Sequence, residues 1–141
     1  GTANYGIEMA FTDAERRAFE RSVLFPAAGL DPSKADEYYE IQGLVDKLAY
    51  AGNEAARSYL DGRISAADAA AYLERYALYS PERAKQRVRF IEQYRSYVIN
   101  YNLGKDMVRT FVESRSGDDP AKRWSEFEKL LSSPRLPSGL R

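Results

Sequence analysis

The sequence predicts an all-α protein, a bundle of about five to six helices of which two are long. Three observations carry this. Five positions place a capping side chain directly ahead of a helix-compatible run. Apolar residues recur at steps of three and four over long stretches. No segment alternates apolar and polar residues as a strand would, and no internal repeat or low-complexity tract appears.

The first helix spans about Thr2 to Phe11 and has no visible cap. Thr12-Asp13-Ala14-Glu15 opens the second as a capping box, hydroxyl and carboxylate each satisfying a backbone N–H. Asp31-Pro32 opens the first long helix, about Pro32 to Leu60. Proline at the first helical position loses nothing by lacking an N–H. Gly62 stands just past the end as a left-handed stop. The apolar stripe of this helix is Tyr38, Ile41, Val45, Leu48, Gly52, Ala55 and Tyr59. Its roughly 29 residues make a rod of about 43 Å.

Ser65, with Asp68 three residues on, opens an alanine-rich helix to about Ala77, with Ala69, Tyr72, Leu73 and Tyr76 facing inward. Ser80-Pro81 opens the second long helix, which continues past Gly104 to Val112. Val88, Ile91 and Val98 form one face; Phe90, Tyr94, Tyr97, Tyr101, Val108 and Phe111 form a neighbouring one. Two apolar faces predict burial on more than one side. Gly104 falls on the aromatic face and marks a kink or a close backbone approach. Ser114 to Asp119 is a turn. Asp119-Pro120 opens the last helix, to about Leu131, presenting Trp124, Phe127, Leu130 and Leu131. Residues 1–132 are expected to form one helical domain. The 133–141 tail, with two prolines and a glycine, is expected to be irregular.

Composition narrows the chemistry. Among 141 residues there is neither cysteine nor histidine. That excludes disulfides, a thiol nucleophile, a Cys/His zinc site and a Ser-His-Asp triad. Basic and acidic residues balance at 21 each, so no global charge attracts nucleic acid or an anionic membrane. The balance is uneven along the chain: residues 1–70 hold seven basic and twelve acidic side chains, and residues 71–141 carry the opposite excess. Eleven tyrosines against six phenylalanines and one tryptophan predict helix seams with a polar edge. No apolar run approaches the roughly 20 residues of a membrane helix, and the N-terminus does not resemble a secretory signal. A cytoplasmic setting, with no membrane and no nucleic-acid partner, is the expectation.

Few groups remain to carry chemistry. Glu37 with Glu40, or Asp36 with Glu40, share a helix face, where water and the helix dipole account for them. Arg83, Lys85, Arg87, Arg89 and Arg95 interleave with Phe90, Tyr94 and Tyr97 as an RNA-binding helix would. Glu82 and Glu92 interrupt the run, and helical spacing scatters its charges. More unusual are polar residues set within apolar stretches: Asn53 and Glu54 in the first long helix, and Arg95, Asn100 and Asn102 in the second. Buried polar groups need partners. These five either pair between helices, Glu54 with Arg95 for example, or line a cleft.

GTANYGIEMAF, followed by KLAYAGNEAARSYLDGRISAADAAAYLERY and YRSYVINYNLG, resembles a large bacterial family of helical proteins related to gluzincin metallopeptidases. In that family an HExxH helix supplies two zinc ligands and a later Glu-Gly-x-Ala-x-Tyr helix the third. This chain matches Gly1, Ala3 and Tyr5, so that glutamate would immediately precede Gly1. Arg75-Tyr76 and Tyr101-Asn102-Leu103-Gly104 match further motifs, and coverage runs from Gly1 to about Val112. Where the family tends to have Gly-Ile-His, this chain has Gly52-Asn53-Glu54, so a catalytic histidine is replaced by Glu54.

The resemblance implies the C-terminal helical part of a zinc peptidase-like protein, lining its cleft but holding no cofactor itself. Zinc would belong to the full-length parent, and the partner would be the N-terminal part of the same protein. The implied chemistry is metal-activated water attacking a carbonyl, with the HExxH glutamate as base. Tyr101 is the implied oxyanion donor, and Arg95, Asn102, Asn53 and Glu54 would bind substrate polar groups. The alternative is a self-contained helical interaction or homo-oligomerisation module built on Tyr94, Tyr97 and Tyr101.

Overall fold

All five capping side chains open helices in the computed structural model, which describes residues 1–133 and 135–140. Thr12 and Ser65 form complete capping boxes with Glu15 and Asp68. The Ser80 hydroxyl accepts from Arg83 N–H, and the Asp119 carboxylate from Ala121 and Lys122 N–H. Asp31 accepts from Ser33 N–H and opens a short 3-10 turn, Pro32–Lys34. The chain is all-α: six helical runs, two of them long at 29 and 36 residues, with no strand among the described residues.

The elements are α1 (Thr2–Ala10), α2 (Asp13–Phe19), α3 (Phe25–Ala27), α4 (Ala35–Lys47), α5 (Ala49–Leu60), α6 (Ala66–Tyr76), α7 (Pro81–Tyr94), α8 (Leu103–Ser116) and α9 (Pro120–Ser132). Between α2 and α3 the helix widens into a π turn, Glu20–Leu24, closed by a bond from Phe25 N–H to Glu20 C=O. At the end of α5, Gly62 is left-handed (φ 71°). Arg63 N–H reaches Ser58 C=O at 2.9 Å and Gly62 N–H reaches Tyr59 C=O at 3.0 Å, the paired bonds of a Schellman stop.

Both long runs keep their expected starts, but neither is one uninterrupted α-helix. The first breaks at Leu48, between α4 and α5. The second breaks at Arg95, which adopts φ 51° and ψ −131°. From there the chain winds as a 3-10 helix over Arg95–Tyr101 before α8 begins. Seven residues is long for 3-10 geometry, whose hydrogen bonds are poorer than those of an α-helix.

The chain divides into two compact units, Gly1–Ala35 with Asn100–Arg141, and Asp36–Ile99. In the terminal unit, α1 and α9 pack on α8. Tyr5, Met9, Val108, Phe111, Val112 and Phe127 form its core, with Tyr5 fully buried and edge-on to Phe127. Residues Pro137–Leu140 form a 3-10 turn whose Leu140 packs on this core. Pro134 and Arg141, within the tail expected to be irregular, lie outside the described residues.

In the middle unit, α5, α6 and α7 pack together. One core cluster is Ala55, Ala69, Ala70, Leu73, Ala77, Ala84 and Val88, and another is Ala56, Ile91 and Val98. Small side chains at these contacts let helix axes approach closely. The expected Val88, Ile91 and Val98 face is therefore buried as a set.

Other expected core positions are not. Tyr38 and Ile41 are about half exposed, and α4 buries Ala35 and Tyr39 instead. Tyr76 is exposed, its ring against Tyr72. Tyr94, Tyr97 and Tyr101 are exposed, whereas Val108 and Phe111 on the same expected face are buried. The break at Arg95 and the three-residue period after it end the 3.6-residue periodicity on which the expected common face rested.

Candidate functional site

The middle unit contains Asn53, Glu54 and Arg95; Tyr101 and Asn102 belong to the terminal unit. On α5, partly buried Glu54 accepts from the Arg57 guanidinium at 2.7 and 2.9 Å and from the Ser58 hydroxyl at 3.2 Å. The expected example of a Glu54–Arg95 pair is thus replaced by a pair one turn away on the same helix. Arg57 sits at i+3, where it faces Glu54 whatever the surrounding packing. Its hydrogen bond holds the Glu54 carboxyl below its ordinary range. Asn53 is partly buried beside it.

Arg95 is exposed, and its backbone rather than its side chain is the unusual feature. A cross-helix polar contact of this unit is Tyr59 Oη donating to Glu92 Oε1 at 2.5 Å, from α5 to α7. That bond raises the Tyr59 pKa. Both residues escape a sequence reading: Tyr59 sits on an apolar stripe, and Glu92 looks like an interruption in a basic run.

In the terminal unit the Tyr101 ring is about half exposed, and its backbone C=O accepts from Asn4 Nδ2 at 3.1 Å. Asn102 Oδ1 accepts from Leu103 N–H at 2.7 Å and so caps α8. Two segments almost a hundred residues apart meet here, Gly1–Tyr5 and Tyr101–Gly104. A Cβ at Gly1 would lie 2.8 Å from the Gly104 carbonyl oxygen, closer than packed atoms tolerate. Gly1 is thus the glycine that permits this close backbone approach; a Cβ on Gly104 would meet the Asn100 side chain at 3.1 Å, and the helix break lies upstream of Gly104.

Beside this contact is an ionic group that sequence reasoning did not single out. Glu8 accepts from Arg109 Nε at 3.0 Å and Nη2 at 2.7 Å, and pairs with Lys105 at 2.6 Å. Arg109 also reaches Asp106 at 3.2 Å. Arg123 donates to Tyr5 Oη at 3.2 and 3.3 Å and to the Glu8 backbone C=O at 3.2 Å. Burial pushes the Glu8 carboxyl up, but hydrogen bonds and charge from Arg109 and Lys105 outweigh it and hold the pKa below its ordinary value. The one available signal was the spacing of Lys105 and Arg109, one turn apart on α8.

The residues present do not fit a zinc ion. The chain has no imidazole or thiolate, and among the described residues no three carboxylates are grouped to hold a metal. Among them, too, no helix is long and apolar enough to cross a membrane. No family model, curated protein or solved structure matches this chain.

Proposed function

We propose that this chain is the C-terminal helical segment of a gluzincin-like metallopeptidase-type protein, contributing a wall of its cleft and not catalytic alone. The observation that supports the reading is the docking just described. Gly1-x-Ala3-x-Tyr5 and Tyr101-x-x-Gly104 are two of the motifs that carry the resemblance. They are distant in sequence, yet Gly1 abuts Gly104 and Asn4 holds the Tyr101 carbonyl.

On this reading the exposed Tyr101 phenol is the hydrogen-bond donor toward a developing oxyanion, and Asn102, Arg95, Asn53 and Glu54 are polar groups for substrate. The metal ligands would be supplied ahead of Gly1, since no donor set here fits them. Two measurements test it. The gene upstream of Gly1 is expected to encode HExxH and a glutamate abutting Gly1; an unrelated upstream sequence removes the support. Calorimetric titration of this chain with zinc is expected to show no stoichiometric submicromolar site, and finding one overturns the reading.

A second reading, a helical interaction module, is favoured by one observation. Phe90, Tyr94 and Tyr97 form a chain of rings, with centroids 4.5 and 6.4 Å apart, and Tyr94 and Tyr97 are exposed. Exposed tyrosines of this kind are enriched at protein interfaces.

A further inference from the structure

The middle unit displays two surfaces of opposite shape. One is the apolar stripe of α4. Ile41 and Leu44 are 51% and 56% exposed, Tyr38 extends the stripe toward its start, and Val45 is only partly covered. The other is a groove of about 360 Å³ between α6 and α7. Its floor is made of small side chains, Ala66, Ala67, Ala70 and Ala71 with Val88, and its rim of Glu74, Lys85, Arg89 and Glu92. No residue of α4 lines it. Large apolar side chains on one surface thus answer a floor of alanines on the other, the arrangement by which ridges enter grooves.

The charges supply the register. On α4, Glu40 and Lys47 flank the stripe seven residues apart, acid first, and both are exposed. On the groove rim, Lys85 and Glu92 are also seven residues apart, base first. Seven residues of helix span about 10.5 Å. A copy of α4 laid along α7 in the same direction brings Glu40 to Lys85 and Lys47 to Glu92 together, while Leu44 and Ile41 meet the alanine floor. Arg89, between the two rim charges, attracts Glu40 and repels Lys47, so the register rests on the Lys85 and Glu92 pairs. Glu92 can serve Lys47 while its Oε1 accepts from Tyr59.

We propose that this groove receives α4 of a second copy of the same chain. A two-fold pair in which each copy gives its α4 to the other is the closed arrangement that uses both surfaces. The interface is separate from the exposed Tyr94 and Tyr97, and it does not depend on a metallopeptidase parent.

Sedimentation equilibrium of the full chain tests it. Self-association is expected in the micromolar range, weakened modestly by added salt because the steering pairs are exposed. Leu44→Lys is expected to weaken it at least about thirtyfold, the effect of removing a central apolar anchor. Ala71→Trp, which fills the groove from an exposed position, should do the same. Glu40→Lys and Lys85→Glu should each weaken association about tenfold, and the double variant in one chain should recover most of the loss. Unchanged helical circular dichroism and melting temperature check that each variant is folded. A monomer at about 100 µM overturns the proposal. So does association unaffected by Ala71→Trp, or a charge swap that fails to recover, since either places the contact elsewhere.

Discussion

Replacing Arg95 with glycine is expected to stabilise the protein by about 1 kcal/mol, whereas the same change within a continuous helix would destabilise it by about that amount. The structure contains its own reference for this. Arg95 closes α7 with φ 51° and ψ −131°, its N–H bonded to Ile91 C=O. Gly117 closes α8 with φ 55° and ψ −137°, its N–H bonded to Glu113 C=O. One backbone conformation is thus built once on the residue that tolerates it and once on an arginine. A side chain in this region costs roughly 1–3 kcal/mol, and glycine returns about 0.5–1 kcal/mol of that through the greater freedom of the unfolded chain. The net gain should raise Tm by roughly 2–4 °C for a chain of this size. Urea unfolding measures it, with an unchanged m-value showing that the unfolded state is not the cause. Arg95→Ala is the control, because it removes the guanidinium and keeps the Cβ, so it should gain little. Gly117→Ala is the reverse test. A Cβ there meets nothing within 4 Å, so any loss comes from the backbone alone. If Arg95→Gly lowers stability while Arg95→Ala does not, residues 95–101 are helical throughout and the reasoning fails.

Leu78 is also left-handed, at φ 57°, and its side chain is 69% exposed, so Leu78→Gly should stabilise by about 1 kcal/mol in the same urea assay. Tyr5→Phe keeps the buried ring but deprives Arg123 of one of its two acceptors, leaving the Glu8 carbonyl, and a loss of about 1 kcal/mol is expected from thermal unfolding. Glu8→Gln should cost about 1–2 kcal/mol at neutral pH by removing charge-assisted bonds to Arg109 and Lys105. The folded pKa of Glu8 is depressed, so its contribution is fully present above the unfolded value of about 4.3 and fades as pH falls through the folded value. Unfolding curves of wild type and variant should therefore converge in acid; a difference that stays constant as the pH falls contradicts the assignment.

The helix starts were legible because a cap is local: Thr12, Asp31, Ser65, Ser80 and Asp119 each act on N–H groups two or three residues away. The interruptions were not, because nothing local announces them. Leu48 and Arg95 are both acceptable helix residues, and Arg95 takes a conformation its own side chain disfavours. Periodicity identified the stripe on α4 but could not say whether it would be covered, and Tyr38 and Ile41 face solvent. Among the site residues, Asn102 was legible as a polar interruption but not as the cap of α8, since that role required the helix to restart after it. The ionic group around Glu8 joins positions about a hundred apart in sequence, beyond what any local pattern encodes.

The π turn at Glu20–Leu24 bears on how this chain can lose a residue. Its bond from Phe25 N–H to Glu20 C=O encloses one residue more than an α-helical turn does. Elsewhere in a helix, deleting a residue rotates everything after it by about 100° and would turn a buried side chain outward. Within this turn, a deletion closes the wide loop into an ordinary one and leaves the flanking helices in phase. Phe25, buried just beyond it, would keep its place. The segment is a site where a one-residue deletion can be absorbed without disturbing the packing on either side.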